Sequence, residues 1–381
     1  MKREFHAHYA FALQDSATQA YALDWLVDKS MRLPHGWREI SIIKDDFARL
    51  EILAQAIVTG YKEQARMGSR KNPTGLYYWI KRQSEDFLIA RNNFMRKILA
   101  STLPDLSLFP AGSWAIQVHF TLRKPYLSKD DVDFYIIDNP VKKEWVFKVP
   151  YVAPSQWKGA LRAAMVRQLV ENLCSKKVDE EGFTHERLRL YRLFGNEKDG
   201  TAEFLNRALT LHRVGPRPAD EQQAQKWEKQ YKQVARAFEE KVEAEGYRKE
   251  NIEGFRGRLH FYPTFFDYIG LEVINPHPRD TGAGKQPIYF ECVPVGTPGV
   301  FTLLYVPLDR VGKVSQDEIE AEAQKDLKAV ARGVCAMLTR YGFGAKTSSG
   351  YGVADVLKDQ SQVVPPDSEE IFWKAWEKNN V

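Results

Sequence analysis

An apolar extended segment passes directly into a helix at residues 149–162, and this transition constrains the chain more than any other stretch of its sequence. Residues 149–152 have strand character, and Ser155 is a residue type that favours the N-cap of a helix. The first N–H groups of a helix have no partner within it and lie at the positive end of its dipole. A helix start of this kind can therefore bind an anion such as a phosphate.

Three further residues of this helix start suit a phosphate. Lys158 brings a charge, Gly159 allows a backbone to come close, and Arg162 adds a fork of donors. The sequence therefore predicts a phosphate site formed by Ser155, Lys158, Gly159 and Arg162. The alternative is an ordinary capped helix with solvated charges.

A second candidate lies near the end of the chain, where residues 342–352 contain four glycines. Their backbone donors could cradle phosphates. The segment lacks the spacing of a Walker loop. It follows a predicted helix, which is indicated by the spacing of apolar residues between 327 and 341, and it precedes a predicted strand at residues 353–357. A plain glycine-rich connection is the alternative. The candidate RNA-binding residues here are Gly344, Lys346, Thr347, Ser348, Ser349 and Gly350.

In this order, the two elements resemble the RAMP superfamily of CRISPR-associated proteins, and above all the backbone subunits of type III RNA-targeting effector complexes. The family pattern Ser-x-x-Lys-Gly-x-Leu-Arg is matched at Ser155, Lys158, Gly159, Leu161 and Arg162. Further matches lie at residues 193–195, 257–261, 274–297 and 342–352. The resemblance covers roughly residues 114–357, and the additions outside the compact family pattern suggest a divergent, type III-D-like member.

The resemblance implies an α+β fold with a ferredoxin-like (RRM-like) core, which opens with the alternating strand at residues 114–120. His119, on the wetted face of that strand, is a possible RNA contact or a bystander. The expected organisation is a mainly helical section at 1–112, the core at 113–358 and a C-terminal tail at 359–381. Within the core we expect a helical insertion at about 216–254 and a thumb-like hairpin at about 272–288.

In the family, a loop upstream of the Lys-Gly helix reads Asp-x-Pro-Val and carries the aspartate required for cutting target RNA. Residues 138–141 read Asp-Asn-Pro-Val, so the resemblance makes Asp138 the catalytic candidate. Read from the residues alone, this segment is a turn. RNA brings its own 2′-hydroxyl nucleophile, and a carboxylate could accept its proton or position a hydrated divalent ion such as Mg²⁺. Asp130, Asp131 and Asp133 are the alternates, or a solvated charge run.

The thumb of the family wedges into the guide–target duplex and kinks it. If that holds here, His277, Arg279 and Lys285 would contact RNA, and an exposed hairpin without RNA contact is the alternative. Residues 62–82 interleave basic and aromatic side chains, which could grip single-stranded RNA, cover the core as a solvated loop or dock a neighbouring subunit. An apolar stripe within residues 219–246 predicts a helix that packs on its own domain.

Composition fits these roles, since 381 residues with 44% hydrophobic content can bury a substantial core, and a net charge of +5 is mildly basic. Three separated cysteines make no metal pattern, and without an apolar leader or long apolar run we expect a cytoplasmic protein with no membrane contact. Three functions stay open: a target-cleaving RNA-guided subunit, a structural guide-RNA-binding subunit, and a CRISPR repeat-processing endoribonuclease using His6, His8 or His35. The first two imply guide RNA, target single-stranded RNA and other effector subunits as partners.

Overall fold

The computed structural model describes residues 23, 25–27, 43–56, 60–68, 75–82, 84–98, 103–129, 135–197, 199–247, 255–275 and 287–378. Its α-helices are α1 (Asp46–Leu53), α2 (Lys62–Met67), α3 (Gly75–Arg82), α4 (Ser84–Ile98), α5 (Pro154–Cys174), α6 (Glu180–Phe194), α7 (Asp199–Val214), α8 (Glu221–Ala244), α9 (Gln316–Ala336) and α10 (Asp367–Glu377). Its strands are β1 (Trp114–Leu122), β2 (Tyr151–Val152), β3 (Leu259–Phe261), β4 (Thr264–Phe265), β5 (Gly270–Ile274), β6 (Ile288–Cys292), β7 (Pro298–Tyr305), β8 (Ala354–Val356) and β9 (Gln362–Val364). None of the helices in this part of the chain has the length and apolar content needed to cross a membrane.

The central sheet has the order β3-β7-β1-β8, and every neighbouring pair is antiparallel. β8 and β9 lie on the same side of β1: β8 pairs with the last residues of β1, and β9 pairs with its first residues. Along the chain, α5 stands between β1 and β3, and α9 stands between β7 and β8. The fold is therefore a mixed α and β arrangement built on antiparallel sheets, and the strand predicted at residues 114–120 is confirmed.

One face of the sheet carries the main core. Alternate residues of β1, among them Ile116, Val118 and Phe120, are fully buried and join Trp157 of α5 in one apolar cluster. α5 and α9 cross closely at Gly333, where a Cβ atom would lie 2.4 Å from Met165 Cγ. The close packing of these two helices fixes the position of the α5 N-terminus above the sheet.

Three helices, α6, α7 and α8, fill the chain between α5 and β3. The predicted stripe on α8 is confirmed, since Phe238 and Val242 are buried against Leu188 and Tyr191 of α6. The helical addition thus packs on its own chain, and α7 lies against α5 as well as α8.

A buried charge network joins α6 to α9. Asp326 is fully buried and accepts hydrogen bonds from Arg192, at 2.5 and 3.1 Å, and from the Tyr305 hydroxyl at 3.0 Å. Arg258, beside β3, reaches Asp326 at 3.5 Å and also pairs with Glu322. Because charges taken out of water need close partners, this network specifies how α6 and β3 dock on α9.

Two segments differ from the simplest expectation. Residues 62–82, for which a solvated loop was one alternative, form α2 and α3 in their described parts. The segment set apart as a C-terminal tail carries β9, which pairs with β1, and α10, which packs on α9. Of the thumb-like hairpin expected at about 272–288, the structure describes only the two ends, where β5 and β6 pair with Ile274 opposite Ile288; residues 276–286 lie outside the described residues.

Candidate functional site

The start of α5 differs from the prediction at Ser155. Ala153 is the N-cap, Pro154 occupies the first helical turn, and no side chain caps the helix, so the assignment of Ser155 as N-cap was wrong. The reason is local: proline has no N–H to satisfy and its fixed φ suits the first helical position, so the N-cap lies two residues earlier than expected, at Ala153. Ser155 is instead an exposed residue of the first turn.

Two grooves flank the exposed side of α5 and share Gly159, Ala163 and Arg167. The smaller one, about 220 Å³, lies between α5 and the glycine-rich loop at residues 342–352. The larger one, about 810 Å³, lies between α5, the end of α6 and α7. We call the larger groove the α5–α7 cleft; it is lined by Ser155, Lys158, Gly159, Arg162, Ala163, Val166, Arg167, Phe194, Asn196, Gly200, Thr201, Phe204, Phe255 and Arg256.

Positive charge dominates the α5–α7 cleft. Lys158, Arg162, Arg167 and Arg256 line it, and none of its described lining residues is acidic. The pKa of His260 is lowered, first by burial and then by the charges of Arg256 and Lys158, which shows that these two cations act on the same region. An anion is therefore the ligand that the cleft favours electrostatically.

Arg162 contacts the wall of the cleft, because its guanidinium group binds Phe194. Its Nη2 donates to the Phe194 carbonyl at 3.0 Å, and its guanidinium lies 5.4 Å from the Phe194 ring centre. Burial lowers the pKa of Arg162, and the charge of Glu197 partly opposes this effect. Gly159 has open space where a Cβ would be, so the protein itself does not require glycine there.

Aromatic residues also line the cleft, and sequence reasoning missed them. Phe204 of α7 is 47% exposed, and Phe194 and Phe255 line the same cleft. A single apolar residue on a helix surface carries little signal by itself. Only the packing of α7 against α5 brings Phe204 to Lys158, which lies 46 positions earlier in the chain.

The glycine-rich loop follows α9 as predicted, but its glycines serve the protein's own packing. Gly344 has φ +93°, and a Cβ there would lie 2.3 Å from the Leu127 carbonyl oxygen; at Gly352 it would lie 1.9 Å from that of Phe343. The Phe343 ring, 4.5 Å from the Trp157 ring, anchors the loop in the core. The loop is therefore a tightly fitted connection whose outer residues Lys346, Ser348 and Ser349 are exposed.

The polar candidates of this loop lie at its surface. Lys346, Ser348 and Ser349 are exposed, and Thr347 lines the smaller groove beside α5. Gly350 has φ +83° and no neighbour within 4 Å of a built Cβ, so only its backbone conformation requires glycine. The structure therefore brings together the two predicted phosphate motifs, the start of α5 and the glycine-rich loop.

Asp138 lies in a separate place, where α2 meets the segment before β2. Its Oδ1 accepts a hydrogen bond from Lys62 Nζ at 2.5 Å, and its Oδ2 accepts one from Arg66 Nη2 at 2.7 Å. Arg66 is 7% exposed and also donates its Nε to the Ile136 carbonyl at 3.0 Å. The side chain of Asp138 remains 59% exposed beside these two cations.

The Asp138 turn is anchored to β6 by a buried carboxylate. Glu291, fully buried, accepts hydrogen bonds from the Tyr135 hydroxyl at 2.7 Å and from the Val141 N–H at 3.2 Å, and it pairs with Lys143. These contacts hold both sides of the turn, so that the Asp138 carboxylate has a defined position rather than that of a loose loop.

The surroundings of Asp138 do not fit a divalent cation. Partial burial works to raise the pKa of Asp138, but the hydrogen bonds and charges of Lys62 and Arg66 outweigh it and hold that pKa below its usual value. Each carboxylate oxygen already has a cationic partner, and a metal ion would be repelled by both. Among the described residues, no group of three or more His, Cys, Asp or Glu side chains is placed to hold a metal.

Other predicted residues fall elsewhere. His119 lies on β1, where its N–H donates to Ser361 Oγ at 3.0 Å and partial burial lowers the pKa of its ring. The remaining candidates lie outside the described residues and keep their status as predictions: His277, Arg279, Lys285, Asp130, Asp131, Asp133, His6, His8 and His35.

Comparison with known proteins gives one family match. The family model of the RAMP superfamily matches residues 131–355 of the chain. Among solved structures, a chain in the cryo-EM structure of the type III-B Cmr-beta bound to cognate target RNA is similar at 15% identity and a TM-score of 0.37, covering 91% of this chain and 89% of that one. The crystal structure of Cmr6 from Pyrococcus furiosus is similar at 17% identity and a TM-score of 0.29, covering 64% and 97%. Both TM-scores are too low to indicate a shared fold, and no curated protein matches the chain.

Proposed function

Because this chain belongs to the RAMP superfamily, we propose that it is a subunit of a type III CRISPR effector complex and binds the guide RNA of that complex. The observation that carries the proposal is the α5–α7 cleft, in which Lys158, Arg167 and Arg256 meet exposed aromatic surface and no described lining residue is acidic. Binding of this type uses cations for the phosphates and aromatic rings for the bases.

The proposed core is ferredoxin-like. Two observations support this proposal. The elements of the core follow one another along the chain as β1-α5-β3-β7-α9-β8, and the strands lie in the antiparallel sheet in the order β3-β7-β1-β8. The two outer strands of these four, β3 and β8, are therefore the strands that follow α5 and α9 along the chain. In this arrangement the N-terminus of α5 and the loop after α9 lie side by side, which is the geometry that the two phosphate motifs require. The thumb remains part of the proposal, carried by the β5–β6 hairpin that would support it.

Cleavage of target RNA is the second candidate function, and it rests on Asp138. A fixed, 59% exposed carboxylate beside Lys62 and Arg66 could take part in cutting if the two cations bind the scissile phosphate and the carboxylate faces the 2′-hydroxyl. Against a simple general base stands the lowered pKa of Asp138. RNA binding at the cleft does not depend on the outcome for Asp138, since different residues are involved.

The test is the salt dependence of RNA binding by the full chain. In a plot of the logarithm of the binding constant against the logarithm of the salt concentration, each phosphate contact to a single strand contributes about −0.7 to the slope. The double variant Lys158→Gln with Arg256→Gln loses two such contacts, so its slope should be shallower by about 1.4. The matched control replaces Lys325 and Lys328, both exposed on α9, with Gln. The measurement is fluorescence anisotropy of a labelled guide RNA over a KCl series. Identical slopes for the two double variants would remove the phosphate role from the cleft.

A further inference from the structure

We propose that the α5–α7 cleft also binds one unpaired base of the RNA, stacked on Phe204, while the adjoining phosphate lies at Lys158 and Arg256. This inference rests on the proposed RNA-binding function and adds a base-binding subsite to it. The ligand class is therefore an extended single strand with a splayed nucleotide.

The shape and the chemistry of the cleft favour a nucleotide. Its volume of about 810 Å³ lies within the range of sites that enclose small ligands, roughly 300–1,000 Å³. The chain divides the chemistry between elements: α5 supplies Lys158 and Arg167, whereas α7 supplies Phe204 and Thr201. A nucleotide has the same division, with an anionic phosphate at one end and a flat base at the other.

Phe204 is the residue that distinguishes a base site from a simple phosphate site. The residue is 47% exposed, although it lines a cleft with four cationic side chains. An apolar ring does not stabilise a bound phosphate, whereas any of the four bases can stack on it. The exposure also means that Phe204 contributes less to the folded state than a core aromatic does.

Another part of the cleft lining, at Asn196 and Phe255, is held in place before any ligand binds. Asn196 Oδ1 accepts hydrogen bonds from the Tyr191 hydroxyl at 2.9 Å and from the Phe255 N–H at 2.8 Å. The rings of Tyr191 and Phe255 are stacked, with centres 6.0 Å apart and planes 20° from parallel. A fixed wall lowers the entropy lost when a base is bound.

The experiment compares Phe204→Ala with Phe204→Tyr in the full chain, by anisotropy of a labelled single-stranded oligoadenylate over a salt series. Loss of a stacked base should weaken binding by about 5- to 150-fold in Phe204→Ala, and Phe204→Tyr should retain most of the affinity. The salt slope should stay the same in both, because stacking releases no counterions. Leu211→Ala is the matched control, since Leu211 is also 47% exposed on α7 and lies outside the cleft lining.

The outcomes separate the two proposals. If Phe204→Ala binds like Leu211→Ala while the Lys158 and Arg256 variant loses affinity and slope, the base subsite is refuted and RNA binding stands. If neither variant changes binding, both proposals fail. A second probe, the same strand with abasic positions, should bind the wild type and Phe204→Ala equally; a persistent difference would refute stacking as the cause.

Discussion

Replacing Asp138 separates its two possible roles, because the structure predicts very different magnitudes for them. The carboxylate is 59% exposed and makes two ion pairs, with Lys62 and Arg66. Exposed ion pairs contribute about 0.2–1 kcal/mol each, so Asp138→Ala should cost at most about 2 kcal/mol of unfolding free energy. Arg66 is not orphaned by the change, since it keeps Glu63 at 3.0 Å and the Ile136 carbonyl at 3.0 Å.

A catalytic role predicts a larger effect on a different quantity. Loss of a general acid or base typically lowers a rate by about 10²–10⁴-fold, or roughly 2.7–5.4 kcal/mol of activation free energy. A domain stable by about 5–15 kcal/mol stays folded after losing 2 kcal/mol, so unfolding could not imitate such a fall in rate. The two readings are therefore resolved by measuring both quantities on one variant.

The assay uses the assembled effector complex and a labelled RNA complementary to its guide. Single-turnover cleavage and urea unfolding are measured for wild type, Asp138→Ala and Asp138→Asn. The matched control is Asp355→Ala, which removes another exposed carboxylate paired with an arginine, Arg123, at 3.4 Å. If Asp138 is catalytic, one or more cuts disappear at intact target binding while stability changes little. Cuts that persist at the wild-type rate would refute the catalytic role and leave Asp138 as the residue that joins α2 to the core.

The pH dependence gives a second check on the same residue. Because Lys62 and Arg66 hold the pKa of Asp138 below its usual value, against the opposite effect of burial, the carboxylate is ionised throughout pH 5–8. Its stabilising ion pairs are then fully present above about pH 4 and are lost only as the pH falls through the lowered pKa. We expect no loss of cleavage rate from Asp138 between pH 8 and pH 5. A decline centred near pH 6 at the cuts that depend on Asp138, absent from cuts that persist in Asp138→Asn, would contradict this assignment.

Two further predictions concern the scaffold. Asp326→Asn should destabilise the chain by about 3–5 kcal/mol in urea unfolding, because it leaves buried arginines without their central partner, whereas Glu322→Gln, at a site 22% exposed, should cost less; equal losses would refute this account. Gly344→Ala should lower the urea midpoint more than Gly350→Ala, since a Cβ at Gly344 meets the Leu127 carbonyl oxygen at 2.3 Å and one at Gly350 meets nothing. Similar midpoints for the two glycine variants would show that backbone conformation alone sets the requirement.

The sequence identified the motifs of the site better than the contacts that complete it. The apolar periodicity of residues 327–341 and the glycines after it placed α9 and its loop correctly, because those signals are local. The position of the N-cap also depends on local sequence, and Pro154, which favours the first helical position, indicates Ala153 rather than Ser155 as the N-cap. The need for glycine at Gly344 was not accessible, since it depends on the carbonyl of Leu127, more than two hundred positions away.

The aromatic wall of the cleft could not be predicted for a related reason. Phe204 stands on the surface of α7 and Phe255 on the segment before β3, where single exposed apolar residues are common. Their importance follows from the docking of α6 on α9 through Asp326 and of α7 on α5. Tertiary packing, rather than any local pattern, makes a basic helix start into a cleft with a stacking surface.

The ion pairs of Asp138 change how the N-terminal helices should be regarded. Lys62 and Arg66 belong to a section for which the family resemblance offered no counterpart, yet they supply the partners of the carboxylate that the same resemblance singles out. A carboxylate without these cations would have a higher pKa and could attract a divalent ion, whereas here it cannot do so without displacing them. Whatever chemistry Asp138 performs therefore depends on α2 as much as on the Asp138 turn itself, and a variant such as Lys62→Gln alters that site without touching the RAMP core.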